Sequence, residues 1–203
     1  MADSRCHAGA RHGGWIGAGA GFGGRAVPFQ STRSAATCVT MRITSGGQSG
    51  VDRAALDVAI ERGLPWGGWC PKGGWAEDFH EPPGLLARYA NLRETPLGDP
   101  AQRTEWNVRE ADAILIIVDA PGMAVSGGTR HGHDWAQQHG KAVLAVDTGD
   151  PQAAAAAAAW LDEQRRTRGP DLTLSIGGPR ESEAPGIYAR ARALLAAILD
   201  RMP

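Results

Sequence analysis

The chain lacks several things. It has no run of eighteen apolar residues, so no stretch can cross a membrane as a helix. It has only three cysteines, Cys6, Cys38 and Cys70, with no CxxC spacing. That excludes a disulfide framework and a structural zinc ribbon, and it makes a reducing cytoplasm the expected location. It has no surplus of either charge: the formal net charge is -1 and the pI about 6.6. A general affinity for nucleic acid or anionic membrane would need a basic excess. Lysine occurs only at 72 and 141; this bias toward arginine reflects genome base composition and receives no functional weight. There is no GxxxxGK[ST] loop, no GxSxG elbow and no HExxH helix. Triphosphatases, hydrolases and zinc proteases of those classes are thereby disfavoured.

What is present suits one domain with an appendage. The 203 residues are 42% hydrophobic and 21% charged, enough for one core without staples. Residues 1–40 are rich in glycine, alanine and arginine and show neither period 2 nor period 3.6. Such composition cannot offset chain entropy, so a disordered leader is expected. Its GAGFGG stretch (Gly19–Gly24) matches GxGxxG formally, but has no strand before it and no helix after it. Met41 directly precedes the first convincing motif, and a start there would leave residues 1–40 outside the native protein.

Residues 39–203 alternate strand and helix patterns. Val39–Ser45 is β-prone, and apolar positions 51, 55, 56, 59 and 60 give a helix face ended by Gly63. Leu64–Trp69 reads as a second strand, and residues 70–98 as one long functional loop. Asp99-Pro100 caps a helix to about Ala111. Ala113–Val118 (AILIIV) reads as a strand covered on both faces. A helix from about Gly128 to His139 and a buried strand Lys141–Val146 follow. Asp150-Pro151 opens an alanine-rich helix to about Arg166; strand Leu172–Ile176 and helix Gly186–Arg201 end the chain. The order predicts an α/β, Rossmann-like three-layer sandwich: a mainly parallel sheet of about five strands with helices on both faces. Ligands then belong beyond the carboxyl ends of the strands.

Three glycine-rich loops fall at that edge: Gly46, Gly47, Gln48, Ser49 and Gly50; Ser126, Gly127, Gly128 and Thr129; and Gly178, Arg180 and Ser182. Glycine admits close backbone approach, and the following helix N-terminus offers unpaired N–H groups. Hydroxyls at 49, 129 and 182 and the forked cation at 180 add donors. Together they read as a phosphate or pyrophosphate site. The plain alternative for any one loop is a tight strand-to-helix turn.

Other side chains carry two readings each. Asp52 either complements a helix dipole or faces the ligand as hydroxyl acceptor or base. Arg53 closes on phosphate or pairs with Asp57 at i+4. Residues 67–78 gather Cys70, Lys72, Glu77 and Asp78 with Trp66, Trp69 and Trp75: a lid for an aromatic ring, or a loop covering the core. Glu105 pairs with Arg109, or stands with Arg103 and Asn107 at the site edge. Asp119 ends the central strand as turn former or ligand contact. On a helix, His131 and His133 point roughly 200° apart and cannot share a metal, so no metal site is expected.

The motifs SGGQSGVDRAALDVAI, GGWCPKG, AED, RTEWNVREADAILI, SGGT and GPRESEAPGIY occur in this order. Through them the chain from about 41 to 200 resembles the circularly permuted YpsA-like branch of the SLOG superfamily. These bacterial proteins go under the name molybdenum carrier and are relatives of the LOG/lysine-decarboxylase-like proteins. The resemblance implies a Rossmann-like fold, self-association into a homo-oligomer, and a small phosphorylated ligand of nucleotide or molybdopterin type. LOG-type enzymes cleave nucleotide N-glycosidic bonds with a PGGxGTxxE pattern. Here Ser126–Thr129 is followed by Arg130, His131, Gly132, His133 and Asp134, without the leading proline, the second GT or the glutamate. Two functions therefore stand: a carrier or sensor holding its ligand on the glycine loops, and a nucleotide N-glycosidase or phosphohydrolase using Asp52, Glu77 or Glu105.

Overall fold

The computed structural model describes residues 41–169 and 171–202. The expected leader and its boundary at residue 40 lie outside the described residues. Strands are β1 (Arg42–Thr44), β2 (Trp66–Cys70), β3 (Leu92–Glu94), β4 (Ala113–Val118), β5 (Ala142–Asp147) and β6 (Thr173–Gly177). Helices are α1 (Val51–Glu61), α2 (Pro100–Glu110), α3 (Gly127–Gln138), α4 (Ala153–Arg168) and α5 (Ile187–Leu199). The strands form one sheet in the order β3-β2-β1-β6-β4-β5, and every pairing is parallel. Among the described residues no helix is long and apolar enough to cross a membrane.

The alternation of β4 builds the layers. Ala113, Leu115 and Ile117 enter the core shared with α1, α4 and α5. Ile114, Ile116 and Val118 enter the opposite core with Val108 of α2 and Ala136 of α3. A continuous apolar run is thus two half-runs facing two helical layers. Helix ends follow local chemistry. Asp99 Oδ1 accepts from the Ala101 N–H at 2.8 Å, with Pro100 in the first turn of α2. Ser126 Oγ accepts from the Thr129 N–H at 3.2 Å and caps α3. Gly63, at φ 65°, ends α1 with its N–H on the Ile60 carbonyl.

The sheet has six strands rather than about five. The extra one, β3, lies in the stretch read as a single loop from 70 to 98. It is three residues long and only Leu92 is buried, so it has no period to read. The rest of that stretch is built around two short 3-10 turns, Lys72–Gly74 and Gly84–Ala87. They cover a small core of Leu56, Cys70, Ala76, Leu85, Tyr89 and Leu92. The strand at 142–147 is also not fully buried: it is the sheet edge, and only Val146 is inside. The Asp150-Pro151 signal is a turn before the helix. Asp150 Oδ1 accepts from the Gln152 N–H at 2.8 Å, and α4 starts at Ala153.

Chain direction makes the switch. From β1 the sheet grows through β2 to β3 on one side, and the chain then crosses to β4 and β5 and returns to insert β6 beside β1. The carboxyl ends of β1, β6 and β4 therefore meet at one crevice.

Candidate functional site

That crevice opens into a cavity of about 320 Å³ between α2, α3 and the sheet, at the small end of ligand-sized sites. Its apolar floor is Ile114, Ile116 and Val108, with Trp135 beside it. Its polar rim draws on all three glycine loops: Gly46 and Gln48 from the first, with Asp52 just beyond it in α1, Ser126, Gly128 and Thr129 from the second, Gly178 and Arg180 from the third. Of the other sequence-designated positions, Gly47, Ser49, Gly50, Lys72, Glu77, Glu105, Asp119, Gly127 and Ser182 are not in its wall.

At the centre of the wall stands a buried ion pair. Arg103 of α2 donates through Nη1 to Asp52 Oδ2 at 2.7 Å, with side chains 13% and 6% exposed. Burial pushes the Asp52 carboxyl above the usual carboxylate range, against the pull of Arg103 and a hydrogen bond from the Gln48 backbone. Arg103 Nε is buried without a hydrogen-bond partner among the described residues. A Cβ on Gly46 would collide with the Arg103 guanidinium, so that glycine makes room for an internal cation. Gly50, at φ 74° and pressed against the Pro179 carbonyl, needs to be glycine to stitch the first loop to the third.

The second loop differs. Neither Gly127 nor Gly128 has a positive φ. A Cβ on Gly128 would meet nothing within 4 Å, and one on Gly127 only the tip of Arg130, at 4.0 Å. Paired glycines weaken a helix start by up to about 1 kcal/mol each, and here no backbone conformation or packing contact requires them. They leave open space in front of the first turn of α3, where the Thr129 N–H is taken by Ser126 Oγ and the Arg130 N–H by the Ser126 carbonyl, and the N–H groups of the two glycines remain to bind. Arg180 lines the same cavity. Its guanidinium lies 6.0 Å from the Trp75 ring centroid and has no carboxylate partner among the described residues.

The remaining designated side chains are engaged elsewhere. Glu77 accepts hydrogen bonds from the hydroxyls of Ser49 and Ser182, outside the cavity. Arg53 does not pair with Asp57. It grips Asp78 through two 2.9 Å hydrogen bonds and the Gly47 carbonyl at 3.0 Å. Asp57 instead accepts from Tyr89 at 2.7 Å and Tyr188 at 2.8 Å. Glu105 makes no ion pair with Arg109, which lies over Trp106 at 5.1 Å. Asp119 turns to the opposite face and pairs with Arg190 at 3.1 Å. Lys72 is exposed on its 3-10 turn. Two of the tryptophans serve packing: Trp66 stands edge-on to Tyr89 and Trp69 edge-on to Trp106; Trp75 instead lies beside Arg180 and His80. Cys70 is buried, and burial with nearby Glu94 pushes its thiol up to about 11, which leaves it unreactive. His131 lines the cavity whereas His133 sits against Asp134, the divergence their spacing predicts.

Sequence reading underweighted α2. Arg103, Thr104, Asn107 and Val108 all line the cavity, and they lie at i, i+1, i+4 and i+5. That is one face of a helix, legible once α2 is known to lean over the strand ends.

Fold and cavity together define a Rossmann-like α/β protein with a ligand-sized site where the strand order reverses. The chain belongs to the circularly permutated YpsA SLOG family, whose model matches residues 43–199. It is also similar to a protein from Syntrophus aciditrophicus SB, whose 1.45 Å crystal structure is described as that of a "Putative molybdenum carrier protein". The identity is 36%, over 79% of this chain and 96% of that one, with a TM-score of 0.68. None of the curated proteins compared matches the chain.

Proposed function

We propose that this protein is a binding protein, a carrier or sensor, for a small phosphorylated ligand of nucleotide or pterin type held in the cavity at the strand ends. The observation that carries this reading is the second glycine loop. Its two glycines have no structural employment, and they front a helix N-terminus that shares its cavity with Arg180. A phosphate there would accept from the Gly127 and Gly128 N–H groups, since Thr129 N–H is held by Ser126 Oγ, and from the guanidinium. The apolar floor would take the ring. Among the described residues no three of His, Cys, Asp and Glu come together as for a metal ion. The donor set suits the phosphate of a molybdopterin-type cofactor as well as that of a nucleotide, and does not suit a bare cation.

A hydrolytic role has weaker support. Glu77 and Glu105 are not in the cavity wall, and Asp52 is committed to Arg103. A general base must reach the bond it serves. The test is calorimetric titration with adenosine and guanosine monophosphates, for the native protein and Arg180→Ala. Binding that weakens at least about ten-fold in the variant, with no free base on prolonged incubation, supports the carrier reading; the fold-change corresponds to ~1.4 kcal/mol. Equal binding by both proteins, or release of free base, refutes it.

A further inference from the structure

Outside the cavity, Glu77 holds a position that an oxyanion would also fit. Its carboxylate accepts from the Ser49 hydroxyl, from the Ser182 hydroxyl at 2.5 Å and from the Ser182 N–H at 3.3 Å. These donors come from the first and third glycine loops, so one carboxylate bridges both. Burial works against its charge, yet the hydrogen bonds from Ser182 and Ser49 and the charge of Arg180 outweigh it and hold the carboxyl below its ordinary range. Arg180 lies two residues before Ser182 and has no carboxylate partner among the described residues.

The strap that delivers Glu77 does not depend on this carboxylate. The Glu77 N–H donates to Gln48 Oε1 at 2.9 Å, and the next residue, Asp78, is clamped by Arg53 in a two-point ion pair. Ser182 is exposed and Glu77 only half-buried. The carboxylate can therefore swing into solvent while its backbone stays fastened, and an incoming anion can reach the donors it leaves.

We propose that the Ser49 and Ser182 hydroxyls, the Ser182 N–H and the Arg180 guanidinium form a second oxyanion subsite beside the cavity, which Glu77 occupies as an internal surrogate and from which a phosphoryl group displaces it. Carboxylate and phosphoryl oxygens accept the same hydrogen bonds, and a phosphoryl brings one oxygen more for Arg180. The subsite is independent of the ring-binding floor, so it stands even where the cavity takes no nucleotide.

The test is calorimetric titration with inorganic phosphate at low ionic strength. The proteins are the native chain, Glu77→Ala, Glu77→Ala/Ser182→Ala and Glu77→Ala/Gly128→Asp. Removing one like charge at contact distance is expected to tighten phosphate binding on the order of ten-fold in Glu77→Ala. Adding Ser182→Ala should return it to the native level, and adding Gly128→Asp should leave the gain in place. No gain in Glu77→Ala, or a gain that survives Ser182→Ala, overturns the inference. A gain abolished by Gly128→Asp places the phosphate at α3, which also overturns it while leaving the cavity reading intact. Should Glu77→Ala not fold, Glu77→Gln keeps the shape without the charge and is read the same way.

Discussion

Replacing Gly128 with alanine should raise stability and lower binding together. A Cβ at this position meets no atom within 4 Å, so the methyl group costs no packing. Alanine is favoured over glycine in a helix by roughly 0.5–1 kcal/mol, mostly through the freedom glycine loses on folding. For a domain of this size that corresponds to a rise in Tm of about 1–4 °C. The same methyl stands in the cavity before the N–H groups proposed to hold phosphate, and should weaken nucleoside monophosphate binding about ten-fold or more. Urea unfolding reads the first effect and calorimetric titration the second. A fall in stability would mean that the glycine has a structural employment after all. Unchanged affinity would mean that no ligand approaches this turn. Either result refutes the reasoning.

Other outcomes follow from the same geometry. Arg103→Ala leaves the Asp52 charge buried without its partner and should destabilise by about 3–5 kcal/mol, whereas the double variant Asp52→Asn/Arg103→Met should recover much of this; denaturant titration of all three proteins decides it. Asp78 and Glu77 are both held below the ordinary carboxylate range, Asp78 chiefly by its hydrogen bonds from Arg53. Their contribution is therefore present above that range and lost as pH falls through the lowered values. Asp78→Asn should be less stable than the native protein at neutral pH, and the difference should shrink as the pH falls below the ordinary carboxylate range and the native carboxyl takes up its proton; unfolding curves at neutral and acid pH check this. Cys70 should resist a thiol reagent in the folded protein and react once urea unfolds it, and labelling that is complete without urea would contradict its burial.

The fold was legible where the chain obeys simple periods. AILIIV, the Asp99-Pro100 cap and the Gly63 stop each act within a few residues, and each falls where the pattern puts it. What stayed hidden depends on contacts distant in sequence. The strand Leu92–Glu94 exists because β2 offers it an edge. The half-burial of residues 142–144 and the exposure of Ala145 follow from β5 being the last strand in the sheet. In the site, the three loops do share one edge, but their glycines differ in purpose. Gly46 is glycine because Arg103 lies against it, and Gly50 because the third loop does; only Gly127 and Gly128 face open space. No local signal separates these cases, since the neighbour that crowds a glycine comes from another part of the chain. Arg53 illustrates the same limit. Asp57 is its helical neighbour at i+4, yet Asp78, 25 residues away, wins with a two-point grip while two tyrosines claim Asp57. Trp66, Trp69 and Trp75 are equally prominent in sequence, but Trp66 and Trp69 pack on Tyr89 and Trp106, and only Trp75 lies beside a side chain of the cavity, Arg180.

The central claim is that the cavity at the strand ends holds a phosphorylated small molecule. Native mass spectrometry of the purified protein beside Gly128→Asp tests it most directly. Aspartate in the first turn of α3 suits the helix dipole, so the variant should fold while its carboxylate repels an anion. The account predicts a nucleotide- or pterin-sized phosphorylated adduct on the native protein, absent from the variant and identified after denaturation. An adduct retained equally by both proteins would contradict it.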